Sequence, residues 1–454
     1  MTGGEPASTG RATRAARVLA GVVALATAAI GVAMRPDRAI RVASAFVSQT
    51  VCSAVFVSRL DADHHYAAVL RPMGKLSLLD PVLRFRVDTS RQDVSTSVAG
   101  LFRSRAVYRA NAGCTLVHGR TASTLALAGE SHDSGDALPL VYPKSERLRN
   151  VFERAFSRSD LATVAVVVIW NDSIIAERYG PGYSVETRLQ GWSLKKSVVN
   201  ALVAVLVRQG RLAVQDSIPI PTWHRDPRRT ITIDHLLRMT SGLALEETQS
   251  GFDAVSRMLF LERDMAAFAE RAHLAVAPGA RFAYTTGNTV LLSRVVRDLV
   301  GGRGEDVVRF AREELFGPLR MTSAVLELDA TGTPIAMYAT ARDWARFAQM
   351  YATDGIVRGR RLLPLGWVRY STIPTLTSGY GAGWWLAAPQ WRPDWDLPAD
   401  AFYGSGHLHQ KLLVVPSAHL VVARFGATHA PDDGFGTLAQ EVLAAVAENA
   451  RLRD

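Results

Sequence analysis

Lysine and cysteine are the scarce residues of this chain. Only five of its 52 basic residues are lysine (Lys75, Lys144, Lys195, Lys196 and Lys411); the rest are arginines scattered through every segment, often beside acids. There is no basic run, no zinc-finger spacing and no RNA-binding signature. The formal charge of +10 therefore reads as a solvated arginine surface, and no nucleic-acid partner is expected. The two cysteines, Cys52 and Cys114, lie in no C-x-x-C and in no Cys/His cluster, so neither a metal nor another cofactor is expected. Internal repeats and low-complexity tracts are absent. Charged residues make up 21% and hydrophobic ones 48% of 454 residues, which excludes a mostly disordered chain, a collagen-like repeat and a transporter with many spans.

One apolar stretch stands out, Val18 to Met34, preceded by Arg11, Arg14 and Arg17. Charge followed by an apolar run is the arrangement of an export signal or signal anchor. The stretch is slightly shorter than the ~20 residues that span unaided, but flanking arginines can snorkel. Ala43-Ser44-Ala45 has the small-residue form of a cleavage site, yet it lies beyond Arg35, Arg38 and Arg41, so an uncleaved anchor is favoured. An exported chain meets an oxidising compartment, where Cys52 and Cys114 would pair rather than remain two buried thiols. The expected location is the bacterial cytoplasmic membrane, with the bulk of the chain on the extracytoplasmic (periplasmic) side. Oligomeric state is left open.

Residues 1–41 are thus read as a cytoplasmic tail and signal anchor. Residues 42–60 form a packed apolar segment too interrupted to span again. Leu83, Phe85 and Val87 alternate with Arg84, Arg86 and Asp88, the period of a half-buried strand, and Ala106–Tyr108 and Thr115–Val117 look alike. Residues 42–140 make an accessory N-terminal region that carries no motif. A second body spans 145–450. It opens with a helix (ERLRNVFERAF) and a hairpin in which LATVAVVVIW and SIIAERYG flank Asn171-Asp172. Val198, Leu202, Val205 and Leu206 then fall at helical spacing, with Gly210 as the stop. Residues 212–345 read as mostly helical. Two strands around Pro416 and Ser417, beginning at Gly406, and a closing helix over 434–449 complete the pattern. Strands at both ends with helices between predict an α+β fold, an antiparallel sheet flanked by helices with a mostly helical insert.

The candidate chemistry begins at Ser193-Leu194-Lys195-Lys196-Ser197, at the start of a predicted helix. Three residues is nearly one turn, so Ser193 and Lys196 share a face and the amine can reach the hydroxyl. A serine hydroxyl is a weak nucleophile until a base takes its proton. Lysine serves only when neutral, which burial and a helix N-terminus favour. Alone, Ser-x-x-Lys is equally a helix cap followed by surface lysines. The context decides: Arg281-Phe282-Ala283-Tyr284-Thr285-Thr286-Gly287-Asn288-Thr289 follows, and then Gly404-Ser405-Gly406-His407-Leu408-His409-Gln410. There is no G-x-S-x-G elbow of the lipase type.

In this order of motifs the chain resembles the serine β-lactamase and penicillin-binding-protein superfamily, most closely the class C-like branch that includes 6-aminohexanoate-dimer hydrolases and family VIII esterases. ITIDHLLRMTSGL at 231–243, ATARDWARFAQMY at 339–351 and YGAGWW at 380–385 are further similar stretches, and the resemblance covers about 145–450. It implies an acyl-enzyme: Ser193 attacks a carbonyl, Lys196 is the base, and Tyr284 relays the proton to the leaving group. The oxyanion would be held by backbone N–H groups of Ser193 and of a residue near Gln410. His407, His409 and Thr286 are candidate substrate-site residues.

Two departures from the family pattern bear on substrate. The third position of the usual Tyr-x-Asn is Thr286, which removes an amide that would orient an acylamino group. The usual Lys-Thr-Gly is His407-Leu408-His409, which removes a positive charge for a substrate carboxylate. Relatives in the nearer branch usually carry glycine where His409 stands. His407 and His409, two apart on a predicted strand, would point to one side, but no third metal ligand is in sight. Asp234 and Asp343 read as helix-start or surface carboxylates. The leading expectation is a serine hydrolase cleaving small-molecule or peptide-like esters or amides. The alternatives are a cell-wall D-peptidase or β-lactamase of the same superfamily, and a non-catalytic relative that binds peptide or wall fragments.

Overall fold

The structure is a computed structural model, and it describes residues 35–119, 138–142 and 145–451. Val18–Met34 lies outside the described residues. The first element is helix α1, Pro36–Cys52, continued by a π turn over Ser53–Val57. Proline at its first position suits the helix start, where no donor is lost. By length and composition Pro36–Val57 could cross a membrane, yet 67% of its apolar window is buried in the protein. It covers an antiparallel meander, β1 (Leu83–Asp88), β2 (Asp93–Val98), β3 (Phe102–Arg109) and β4 (Gly113–Leu116). Cys52 and Cys114 form a disulfide that ties the end of α1 to β4.

The second body starts with α2 (Glu146–Ser157), capped by Ser145, whose hydroxyl accepts from Leu148 N. The hairpin follows as β5 (Thr163–Trp170) and β6 (Ser173–Tyr179), and both turn residues, Asn171 and Asp172, have positive φ. After β7 (Leu189–Gln190) come α3 (Lys195–Arg208), α4 (Ala254–Leu261) and α5 (Thr286–Leu299). The stretch 212–345 is not wholly helical: β8 (Val325–Leu328) and β9 (Pro334–Ala339) join β7 in a small sheet of order β7-β9-β8. Such short apolar runs have no periodicity that separates strand from helix. Helix α6 (Ala341–Ala352) leads to β10 (Trp385–Leu386), β11 (Phe402–Gly406), β12 (Gln410–Val415), β13 (Leu420–Gly426) and the closing helix α7 (Phe435–Arg451).

The main sheet is antiparallel, in the order β10-β11-β12-β13-β5-β6, so strands from the two ends of the sequence pair at its centre, as Val422 does with Val168. Alternation along β5 sends Val167 and Ile169 to the core shared with α3 and α6, and Val166 and Val168 to the layer under α2 and α7. The result is an α+β layering with apolar cores on both faces of one sheet.

The accessory region is fused to this body through Glu327 on β8. The fully buried Glu327 carboxylate accepts from Ser53 Oγ at 2.5 Å and Cys114 N at 2.8 Å, and burial pushes it up from an ordinary 4.5 to about 7. Thr115 Oγ1 donates to the carbonyl of Leu328 at 2.9 Å. Gly113 has φ 63, and a Cβ there would lie 2.3 Å from Glu327 Cγ, so only glycine admits this contact.

Candidate active site

Ser193 sits in a 3-10 turn, Trp192–Leu194, between β7 and α3. The turn is forced by its neighbours. Gly191 donates to Met337 O at 3.0 Å on β9, and a Cβ on it would stand 2.3 Å from the Trp344 ring. Trp192 then takes a left-handed φ of 50, uncommon outside glycine. One turn on, the buried Lys196 places Nζ 3.0 Å from Ser193 Oγ, 3.0 Å from Thr286 Oγ1 and 4.4 Å from the centre of the Tyr284 ring. The adjacent Lys195 points elsewhere, donating to the carbonyl of Ile335 on β9. Burial, with the Lys196 charge adding, pushes Lys195 down to about 7.

The second wall is the entry to α5. Thr285 caps this helix, accepting from Gly287 N at 3.2 Å, and Thr286 is its first residue. Gly287 lets the 243–250 loop close on the helix, since a Cβ there would lie 2.6 Å from Leu245 Cδ1. That closure delivers Glu247. Its carboxylate accepts from both Thr286 N and, at 3.0 Å, Thr286 Oγ1. A chain of contacts therefore runs Glu247, Thr286, Lys196, Ser193. The sequence reading missed Glu247 because it lies 39 residues from Thr286, in no motif; its one signal is its place just past the 231–243 stretch. Tyr284 also belongs to an aromatic wall, 5.4 Å from the Trp385 ring and 5.7 Å from that of the buried Tyr380, with Phe282 5.6 Å from Tyr380.

The third wall is β11 and the turn after it. Gly404 and Gly406 face the Ser193 turn: a Cβ on Gly404 would be 2.9 Å from Leu194 Cδ2, and one on Gly406 would be 2.3 Å from the carbonyl oxygen of Gly191. His407–His409 is not the expected strand. It is a 3-10 turn with Leu408 at φ 56 and His409 at φ 63, so the two histidines do not project together. A reversal between β11 and β12 leaves too few residues for extended backbone. His407 lies edge-on to Trp192 at 5.2 Å, and burial pushes it down to about 4, so it is neutral at neutral pH. His409 instead meets Asp433, Nδ1 to Oδ2 at 2.9 Å, while Lys411 stands 3.2 Å from the same oxygen. Burial alone would raise the Asp433 carboxyl; His409 and Lys411 hold it well below the usual range. Left-handed φ at His409 explains why glycine suits this position. The Gln410 side chain ties the turn to β13, donating to His407 O, Leu408 O and Gly426 O and accepting from Gly426 N.

Asp343 lies buried in the first turn of α6, which Thr340 caps, and accepts from Ser323 and Arg346, while Asp234 pairs with Arg238 and Tyr370. Neither meets Ser193 or Lys196 in these contacts. Among the described residues no cluster of His, Cys, Asp and Glu could hold a metal.

Residues 148–447 match the beta-lactamase family. The chain belongs to that family. A curated relative from Alkalihalophilus pseudofirmus, an uncharacterized protein, is 24% identical over 315 residues, 62% of this chain and 88% of the relative. Among solved structures, a candidate 6-aminohexanoate-dimer hydrolase from Bacillus anthracis aligns with TM-score 0.57 and 21% identity over 71% of this chain and 90% of its own. A penicillin-binding-protein homologue from Caulobacter crescentus aligns at 0.55 and 18% identity, over 68% and 100%. These place the protein in the serine β-lactamase and penicillin-binding-protein superfamily, as a serine hydrolase of that group. The family match begins in α2, so the accessory region lies outside it.

Proposed function

We propose that the protein cleaves small ester or amide substrates through an acyl intermediate on Ser193, with Lys196 as the base and Tyr284 as the proton carrier to the leaving group. The observation that carries this reading is the 3.0 Å approach of the buried Lys196 Nζ to Ser193 Oγ. Lys196 takes the serine proton as Oγ attacks the carbonyl carbon. The tetrahedral oxyanion is met by the backbone N–H groups of Ser193 and Gln410, whose side chain is already committed to holding the turn. Tyr284 hands a proton to the departing alcohol or amine, and water then releases the acyl group by the reverse proton path.

Ester or small-amide cleavage is favoured over wall-peptide or β-lactam chemistry by His407. The superfamily uses a cation there for a substrate carboxylate, and a half-buried imidazole pushed to about 4 by desolvation carries no charge at neutral pH. Lys411, the nearby cation in sequence, is paired with Asp433. The aromatic wall of Phe282, Tyr284 and Trp385 suits an apolar group on the substrate. Amide cleavage also has support in the name of the Bacillus anthracis neighbour.

We further place the protein in the membrane through Val18–Met34, with the Cys52–Cys114 disulfide on the oxidising side. Ala43–Ala45 sits inside α1 with Ser44 buried and hydrogen-bonded to Thr96 O at 3.2 Å, which supports an uncleaved N-terminus. Carbonate or salt washing should leave the intact protein in the membrane fraction; release without detergent would refute the anchor.

The catalytic reading is tested by intact mass and burst kinetics with an activated short-chain ester. The expected result is one acyl adduct on Ser193, absent from Ser193→Ala, with acylation of Lys196→Ala slowed by about 10²-fold or more. A folded wild-type protein that forms no adduct and shows no turnover would overturn it in favour of ligand binding.

A further inference from the structure

The accessory region reaches both arms of the candidate site, and does so at the backbone positions that are hardest to hold. Trp192, immediately before Ser193, has φ 50; Leu408, two residues before Gln410, has φ 56. Left-handed backbone at a residue with a Cβ persists only where surrounding packing imposes it. In both cases part of the packing comes from residues 36–119, shared with His407 at Trp192 and with Ala427 around Leu408. The Trp192 ring lies 6.2 Å from that of Phe46 on α1, and Phe46 is in turn wedged edge-on at 5.3 Å against Phe260 on α4. Leu408 is 7% exposed and belongs to the accessory core, in one apolar cluster with Val47, Val51, Cys52 and Leu70. Thr50, one turn beyond Phe46, shares with Trp192, Leu408 and Gln410 the lining of a 60 Å³ cavity at this junction.

We propose that the accessory region is a clamp for the oxyanion site, with Phe46 and Leu408 as positioning residues. Resting on the hydrolase reading above, the assignment gives the motif-free N-terminal region a role: α1 holds the turn that presents the Ser193 N–H, and the accessory core holds the turn that presents the Gln410 N–H. Such donors act only when fixed at about 2.7–3.1 Å from the developing oxyanion, so relaxation of either turn costs rate before it costs substrate affinity. The anchor of the clamp uses none of the candidate site residues, since Glu327 on β8 accepts from Cys114 N on β4 and the disulfide ties β4 to the end of α1.

The experiment is single-turnover acylation of the full-length protein by an activated ester, for wild type, Phe46→Ala, Leu408→Ala and Leu408→Gly, each shown folded by its melting curve. Phe46→Ala and Leu408→Ala should lose about tenfold or more in acylation rate with KM nearly unchanged. Leu408→Gly should then be about threefold or more faster than Leu408→Ala, because glycine adopts left-handed φ without needing the clamp. A purely stabilising role gives the opposite order, since glycine removes more packing and adds chain freedom. Phe46→Ala at the wild-type rate, or Leu408→Gly no faster than Leu408→Ala, overturns the clamp while leaving the hydrolase reading intact. A wild type that is never acylated ends both.

Discussion

Glu247 accepts from the Thr286 amide and hydroxyl, and that hydroxyl lies beside Lys196 Nζ, so a carboxylate controls the environment of the proposed base through one side chain. Removing it frees Thr286 to rotate and leaves Lys196 without a fixed partner opposite Ser193. Glu247→Ala should therefore lower acylation by about 10- to 100-fold, read as kcat/KM on an activated ester. Glu247→Gln retains an acceptor oxygen and should fall between the two; a Glu247→Ala variant with full activity would show that Thr286 needs no support. Ser193, Lys196 and Tyr284 are local signals, each inside a short motif in family order. Glu247 was illegible because its role exists only once a loop closes over Gly287 from 39 residues away.

At the scale of elements, β11 must pass very close to the Ser193 turn. The alternation Gly404-Ser405-Gly406 achieves this, since the two glycines face that turn and a strand repeats its face every second residue. Gly406→Ala would set a methyl 2.3 Å from a backbone carbonyl that cannot rotate away. The expected outcome is a loss of about 1–3 kcal/mol of stability in chemical denaturation, together with loss of acylation. The same scale separates what periodicity reveals from what it hides. The β5–β6 hairpin and α2 were legible, because each has a long regular pattern and its own turn or cap residues. The strands β8 and β9 and the turn at His407–His409 were not, because four to six apolar residues fit several backbones and a three-residue reversal is decided by the strands it joins.

Across the whole molecule, Glu327 makes the junction between accessory region and hydrolase body sensitive to pH. Its carboxyl is raised from 4.5 to about 7, so burial favours the protonated form. The sign follows: the contribution to stability is fully present below about pH 4.5 and is lost as pH rises through about 7. Glu327→Gln keeps the acceptor for Ser53 Oγ and Cys114 N but does not titrate. Relative to this variant, wild type should lose up to about 3 kcal/mol between pH 5 and pH 8, measured by denaturant midpoints. Parallel pH curves for the two proteins would show that Glu327 is uncharged, or fully compensated, throughout.

The amino-acid sequence by itself determined the family, the α+β class and the order of the motifs that bear chemistry. It could do so because hydrophobic period, turn residues and the three-residue spacing of Ser193 and Lys196 are properties of neighbours along the chain. Tertiary structure alone decided that Glu247 stands behind Thr286, that His407 packs edge-on against Trp192 while His409 turns to Asp433, and that Phe46 and Leu408 reach into one accessory core. These are contacts between segments tens to hundreds of residues apart. Which side chains meet there depends on how sheets, helices and turns pack in three dimensions, and no local pattern encodes that.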